Sequence, residues 1–155
     1  MVTARELYER ALLAFREAGD QWGSARSLTD LASIDCERGD YLAAHAAYRE
    51  ALEIFAGLGH RRGAARALEG FACLALAQGQ AMRALKLAAA ATRLRQMISA
   101  PLPPAEQLRL DQTLLPAWET LSEPLGKGVW AEGFAMSLEK AIQYSLEQPD
   151  SPISQ

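Results

Sequence analysis

Apolar residues over the first hundred positions recur at three- and four-residue steps. Leu28, Leu31 and Ala32 are followed by Leu42, Ala44, Tyr48, Ala51, Leu52 and Phe55, with polar residues between them. That period draws an apolar stripe along one side of an α-helix; a half-buried strand would alternate by two. The pattern also repeats. Displaced by 40 residues, Tyr8-Glu9-Arg10-Ala11-Leu12 falls on Tyr48-Arg49-Glu50-Ala51-Leu52, Phe15 on Phe55 and Gly19 on Gly59. Gly23-Ser24-Ala25-Arg26 falls on Gly63-Ala64-Ala65-Arg66, Leu31 on Phe71, Gly39 on Gly79 and Ala44 on Ala84. Alanines coincide by chance in an alanine-rich chain. Glycines and aromatics held in one register do not.

Each unit predicts two helices. The first starts near Ser24 or Ala64 and ends at Gly39 or Gly79, where glycine suits the left-handed residue that closes a helix. The second spans about Tyr41 to Ala56, and Ala81 to about Ser99. One such hairpin cannot bury its own stripe, so the units must stack.

Composition sharpens the fold class. Of 155 residues, 30 are Ala and 23 are Leu, against twelve Val, Ile and Thr together. That balance favours helices and excludes a β-sandwich or barrel. Half the residues are hydrophobic and 23% are charged, which predicts one folded, soluble domain. No uncharged stretch is long enough to cross a membrane, and no basic start leads into an apolar run. Two cysteines make no disulfide framework. A cytoplasmic, all-α protein with no membrane partner is expected.

Proline divides the chain. All seven prolines lie after residue 100. Residues 1–100 are expected to hold half a repeat plus two full ones, and 101–104, Pro-Leu-Pro-Pro, to break the array. A helical cap is expected over 105–148 and a disordered tail over 149–155. Pro116 and Pro124 speak against a regular third pair. Charge divides too: residues 1–60 carry a net −4, residues 61–100 a net +6 and residues 101–155 a net −5. The basic middle would meet the acidic C-terminal segment or an acidic partner, or stay a solvated face. An overall −3 gives no reason to expect nucleic acid.

At this point the chain resembles the tetratricopeptide repeat. The residues that carry the likeness are Leu31-Ala32, Gly39, Ala44, Tyr48 and Ala51, then Phe71-Ala72, Gly79, Ala84, Ala88 and Ala91. The usual repeat is about 34 residues, and this one is longer, as in large bacterial signalling regulators. Two positions depart: Asp35 and Ala75 stand where an aromatic is usual, and Thr3 opens a second-type helix without its first-type partner. Further on, Trp130-Ala131-Glu132-Gly133-Phe134-Ala135-Met136-Ser137-Leu138-Glu139-Lys140-Ala141-Ile142 resembles the ending of ATP-binding transcription regulators of the maltose-activator type. The P-loop of such ATPases is not in this sequence. The resemblance implies a right-handed superhelix whose first helices, 24–38 and 64–78, line a concave groove. Outward groove positions would be Arg26, Thr29, Ser33, Glu37, Arg66, Glu69 and Cys73. It implies a non-catalytic scaffold for a protein or peptide partner, acidic where it would meet Arg26 and Arg66, as a fragment or C-terminal part of a larger bacterial signalling protein. The alternative is an effector-sensing domain of an ATP-dependent transcription regulator.

Residues that could carry chemistry point elsewhere. His45 and His60 have no Cys or acidic partner at ligand spacing and read as a surface residue and a turn residue. Asp30, Asp35, Glu37 and Asp40 read as a solvated face, and Cys36 and Cys73 as buried, inert thiols. Gly57-Leu58-Gly59 and Gly126-Lys127-Gly128 read as turns. Trp22 is expected to plug a turn, and Trp118 and Trp130 to pack the C-terminal region. No catalytic residue, cofactor or metal is expected. The N-terminal helix, about Thr3 to Ala18, offers Leu7, Leu12 and Phe15 for self-association, unless Arg5, Glu9 and Arg16 shield that face.

Overall fold

A computed structural model describes residues 1–147; the tail expected over 149–155 lies outside the described residues. Eight helices follow one another: α1 (Ala4–Glu17), α2 (Gln21–Glu37), α3 (Tyr41–Gly57), α4 (Arg61–Ala77), α5 (Ala81–Met97), α6 (Pro104–Thr120), α7 (Glu123–Ala135) and α8 (Leu138–Leu146). Among the described residues there is no strand.

Side-chain caps set the helix starts. Thr3 and Glu6 form a reciprocal capping box on α1. Asp20, Asp40 and His60 accept from the backbone N–H groups of Gly23, Ala43 and Gly63. Helices α2 and α4 therefore begin three residues before Ser24 and Ala64, the starts expected from the apolar stripe. The ends are set by backbone: Gly19, Gly39, Gly59 and Gly79 all have φ between 67° and 79°. Ser99 holds the same conformation, φ 53°, at the fifth such position.

Consecutive helices pack in order: α1 on α2, α2 on α3, α3 on α4, α4 on α5, with α2 also touching α4. This is a tetratricopeptide-like array of antiparallel pairs, as the sequence predicts. Alanines let the backbones close: Ala25, Ala32, Ala44, Ala51, Ala65 and Ala72 are all fully buried. Aromatics from one helix enter spaces left by glycines on the next. A Cβ added at Gly23, Gly63 or Gly70 would lie 2.5, 2.3 or 2.2 Å from the rings of Phe15, Phe55 or Tyr48.

The C-terminal helices fold back on the last pair. α6 starts at Pro104, where a missing N–H costs nothing, and runs unbroken past the exposed Pro116. It packs on α4 and α5, as does α8, while α7 lies along α5. Gly126 and Gly128, expected in a turn, lie inside α7. The reason is packing: Gly126 faces the Trp118 ring, and a Cβ on Gly133 would sit 2.1 Å from the Lys86 carbonyl oxygen. Trp118 and Trp130 pack at 5.6 Å. Arg83 of α5 donates to the Tyr144, Ser145 and Glu147 carbonyls at the end of α8 and lies 4.7 Å from the Tyr144 ring. Lys86 pairs with Glu132 at 3.1 Å, so the basic middle does contact the acidic C-terminal segment.

Two polar residues sit deeper than expected. Asp35 is not solvated: it is buried and accepts from Arg5 Nε at 3.0 Å. His45 is not a surface residue either. Its ring meets Phe71 at 5.4 Å, and its Nε2 is buried without a partner.

Candidate functional site

The groove forms where α2, α4 and α6 stand side by side. Arg26, Ser33, Glu37 and Arg66 are exposed, and Glu69 and Cys73 are half-buried. Thr29 is different: it is buried, and its hydroxyl donates to the Ala25 carbonyl at 2.9 Å, so it does not reach the groove. The helix turns in 3.6 residues, so position 29 lies off the line of the exposed Arg26, Ser33 and Glu37.

Two hollows adjoin in the groove. One, of about 300 Å³, lies between Trp22, Arg26, Arg62, Arg66, Arg95 and Pro103. The other, of about 290 Å³, lies between Arg66, Glu69, Cys73, Arg109, Leu110 and Thr113. Helix α6 thus supplies a wall that the sequence reading did not assign, because the prolines before it read as the end of the array. Arg62 and Arg95 were likewise missed. Arg62 stands 40 residues after Trp22, and Arg95 lies on a second-type helix whose long side chain reaches across.

Ion pairs decide which cations are free. Arg95 is almost fully buried and donates through Nε and Nη2 to both oxygens of Glu69 at 2.6 and 2.9 Å, and through Nη1 to the Ala100 carbonyl. Arg66 lies 3.5 Å from Asp30. Burial raises the Asp30 carboxyl above its ordinary range, while Arg66 and Arg26 pull it back. Arg26 lies 5.4 Å from the Trp22 ring. Among the described residues Arg26, Arg62 and Arg109 make no ion pair. Trp22 does not plug a turn; it is 43% exposed at the groove's edge.

Neither cysteine is activated as a thiolate. Burial, with Cys36 and Glu69 nearby, pushes the Cys73 thiol up to about 11. Burial and Glu37 raise Cys36 as well. Both thiols are free and protonated at neutral pH, so neither is a ready nucleophile. Among the described residues no three His, Cys, Asp or Glu side chains stand together as a metal site. No described helix is long and apolar enough to cross a membrane.

The residues expected to support self-association divide. Leu12 is only 8% exposed and belongs to the α1–α2 core. Phe15 is half-buried against Gly23. Leu7 is 56% exposed, joined by Leu13 at 59%. Of the polar neighbours, Arg5 and Arg16 are engaged with Asp35 and Glu50.

A family model described as tetratricopeptide repeat matches residues 1–57, which cover α1 to α3. No curated protein and no solved structure matches the chain. The match covers less than half of the chain; with the packing of α2 to α5 it shows a tetratricopeptide-like helical repeat fold, and tetratricopeptide repeats generally mediate protein–protein interaction.

Proposed function

We propose that this chain is a non-catalytic interaction scaffold that holds an acidic protein or peptide segment in the groove of α2, α4 and α6. The observation that carries this is the row of Arg26, Arg62 and Arg109, without ion pairs among the described residues, along a groove open to solvent. Unpaired guanidinium groups are suited to carboxylates, which they grip through two parallel N–H bonds. The resemblance of Trp130 to Ile142 supports a place in a larger bacterial signalling protein, and the unpaired thiols suit a reducing, cytoplasmic setting. That resemblance also underlies the alternative, an effector-sensing domain of an ATP-dependent regulator. A sensor would enclose its effector, and the exposed rim of Trp22, Arg26 and Arg62 favours the scaffold.

Fluorescence anisotropy with a library of acidic peptides tests the reading. Binding should be lost on Arg26→Glu with Arg109→Glu while helicity is unchanged. Binding that survives the double substitution would move the partner to another face.

A further inference from the structure

The hollow beside Trp22 contains a hydrogen-bonding conflict. His60 caps α4 by accepting the Gly63 N–H on Nδ1 at 2.9 Å. A neutral imidazole has one lone pair in the ring plane, so Nε2 must then carry the proton. Yet Trp22 Nε1, which can only donate, points at that same Nε2 from 3.2 Å. Two N–H groups thus converge, and neither has an acceptor. The conflict sits in the wall of a cavity of about 300 Å³ whose rim also carries Arg26 and Arg62. One oxygen placed between the two nitrogens would accept from both.

Charge and shape narrow the ligand. The cavity is lined by four arginines and Glu106. Two of the arginines are matched by Asp30 and Glu69. One net positive charge remains, which balances a monoanion rather than a dianionic phosphate. Phe55, Pro101 and Pro103 supply apolar wall beside the donors. The cap here is an imidazole, whereas the carboxylates of Asp20 and Asp40 cap the preceding two helices. A carboxylate at position 60 would have filled the cap and repelled an anion.

We infer that the hollow between Trp22, His60, Arg26 and Arg62 is a subsite for a carboxylate that carries an adjacent apolar group. It rests on reading the groove as the binding face, and it specifies what enters one end. The carboxylate is either a chain terminus after an apolar residue or an acidic side chain beside one. The indole and imidazole N–H groups meet one carboxylate oxygen, the two arginines meet the other, and the apolar group lies on the proline wall.

The test uses the full chain labelled with ¹⁵N. Titrated with N-acetyl-phenylalanine, the indole N–H signal of Trp22 should move downfield, while those of Trp118 and Trp130 stay in place. N-acetyl-phenylalaninamide, which lacks the carboxylate, should leave all three unmoved. N-acetyl-aspartyl-phenylalaninamide separates the two sources: a shift equal to that of N-acetyl-phenylalanine assigns the site to acidic side chains, and none assigns it to a terminus. Arg62→Gln should weaken binding roughly tenfold. His60→Asp keeps the helix cap but places a carboxylate in the hollow, and should abolish the shift with helicity intact. An indole signal that stays still with both carboxylates, or moves as far with the amide or with inorganic phosphate, overturns the inference. Acidic peptides that bind the His60→Asp protein undiminished would leave the scaffold reading standing and this subsite refuted. A Trp22 shift with N-acetyl-phenylalanine, alongside a peptide library that never binds, would do the reverse.

Discussion

At Gly133 the backbone of α7 comes so near α5 that no side chain fits. A Cβ there would lie 2.1 Å from a carbonyl oxygen, which cannot swing aside. Gly133→Ala should cost about 1–3 kcal/mol or more, read as a lowered urea midpoint. Gly128 is the control: it is helical with open space around it, so Gly128→Ala should gain about 0.5–1 kcal/mol. His45 supplies a pH dependence. Burial, then Arg83 and Arg49, hold its pKa below the ordinary 6.5, against the opposing pull of the Ser145 backbone. The folded state therefore binds fewer protons than the unfolded one, and stability is lost as pH falls below 6.5 and is unaffected above it. Thermal melts at neutral pH and at about pH 5 should show this loss, and His45→Leu should lessen it. At neutral pH that substitution should not lower the melting temperature, because Nε2 has no partner to lose. Neither His45 nor Asp35 was legible as buried. Each lies on a face covered by a helix distant in sequence, α8 or α1, and helical periodicity describes only an element's own two sides.

Helices α2 to α5 were legible because each carries the repeat, and α2 to α4 also end on a left-handed glycine. The starts of α3 and α5 fall at Tyr41 and Ala81 as expected, while those of α2 and α4 were misplaced by three residues because the stripe was weighted over the capping side chains Asp20 and His60. Helices α6 to α8 were only partly legible. The pair of prolines before α6 marked a boundary, but nothing local indicated that α6 extends the groove or that α7 returns along α5. That return has a signature in α5: from Leu85 to Ala91 every residue but Lys86 is apolar and buried. A helix apolar all round must be covered all round. Deleting residues 122–155 should therefore uncover one side of α5, seen as aggregation or early loss of helicity on mild heating. A truncated chain that melts with the full-length one would show that α7 and α8 contribute nothing to stability.

For the whole molecule, the groove's outline was legible from Arg26 and Arg66, while its chemistry was not. Arg95 meets Glu69 from 26 positions away and Trp22 meets His60 from 38, and helical spacing does not reach that far. On α1, Leu7 and Leu13 are exposed large apolar residues. We propose a twofold contact through Leu7: light scattering should give twice the mass of one chain, and Leu7→Glu should halve it. A mass of one chain at every concentration would refute the contact. The even placement of Gly19, Gly39, Gly59 and Gly79 has a different consequence. Each helix from α2 to α5 has 17 residues and each link three, so residues 41–80 form a module that begins and ends in the same geometry. Inserting a second copy after Gln80 would give the new α3 the neighbours that α5 has on its α4 side. The last pair would still present α5 to α6, α7 and α8 unchanged. Chain length is thus a free variable of this architecture, and duplication of a gene segment could lengthen the groove without redesigning either end.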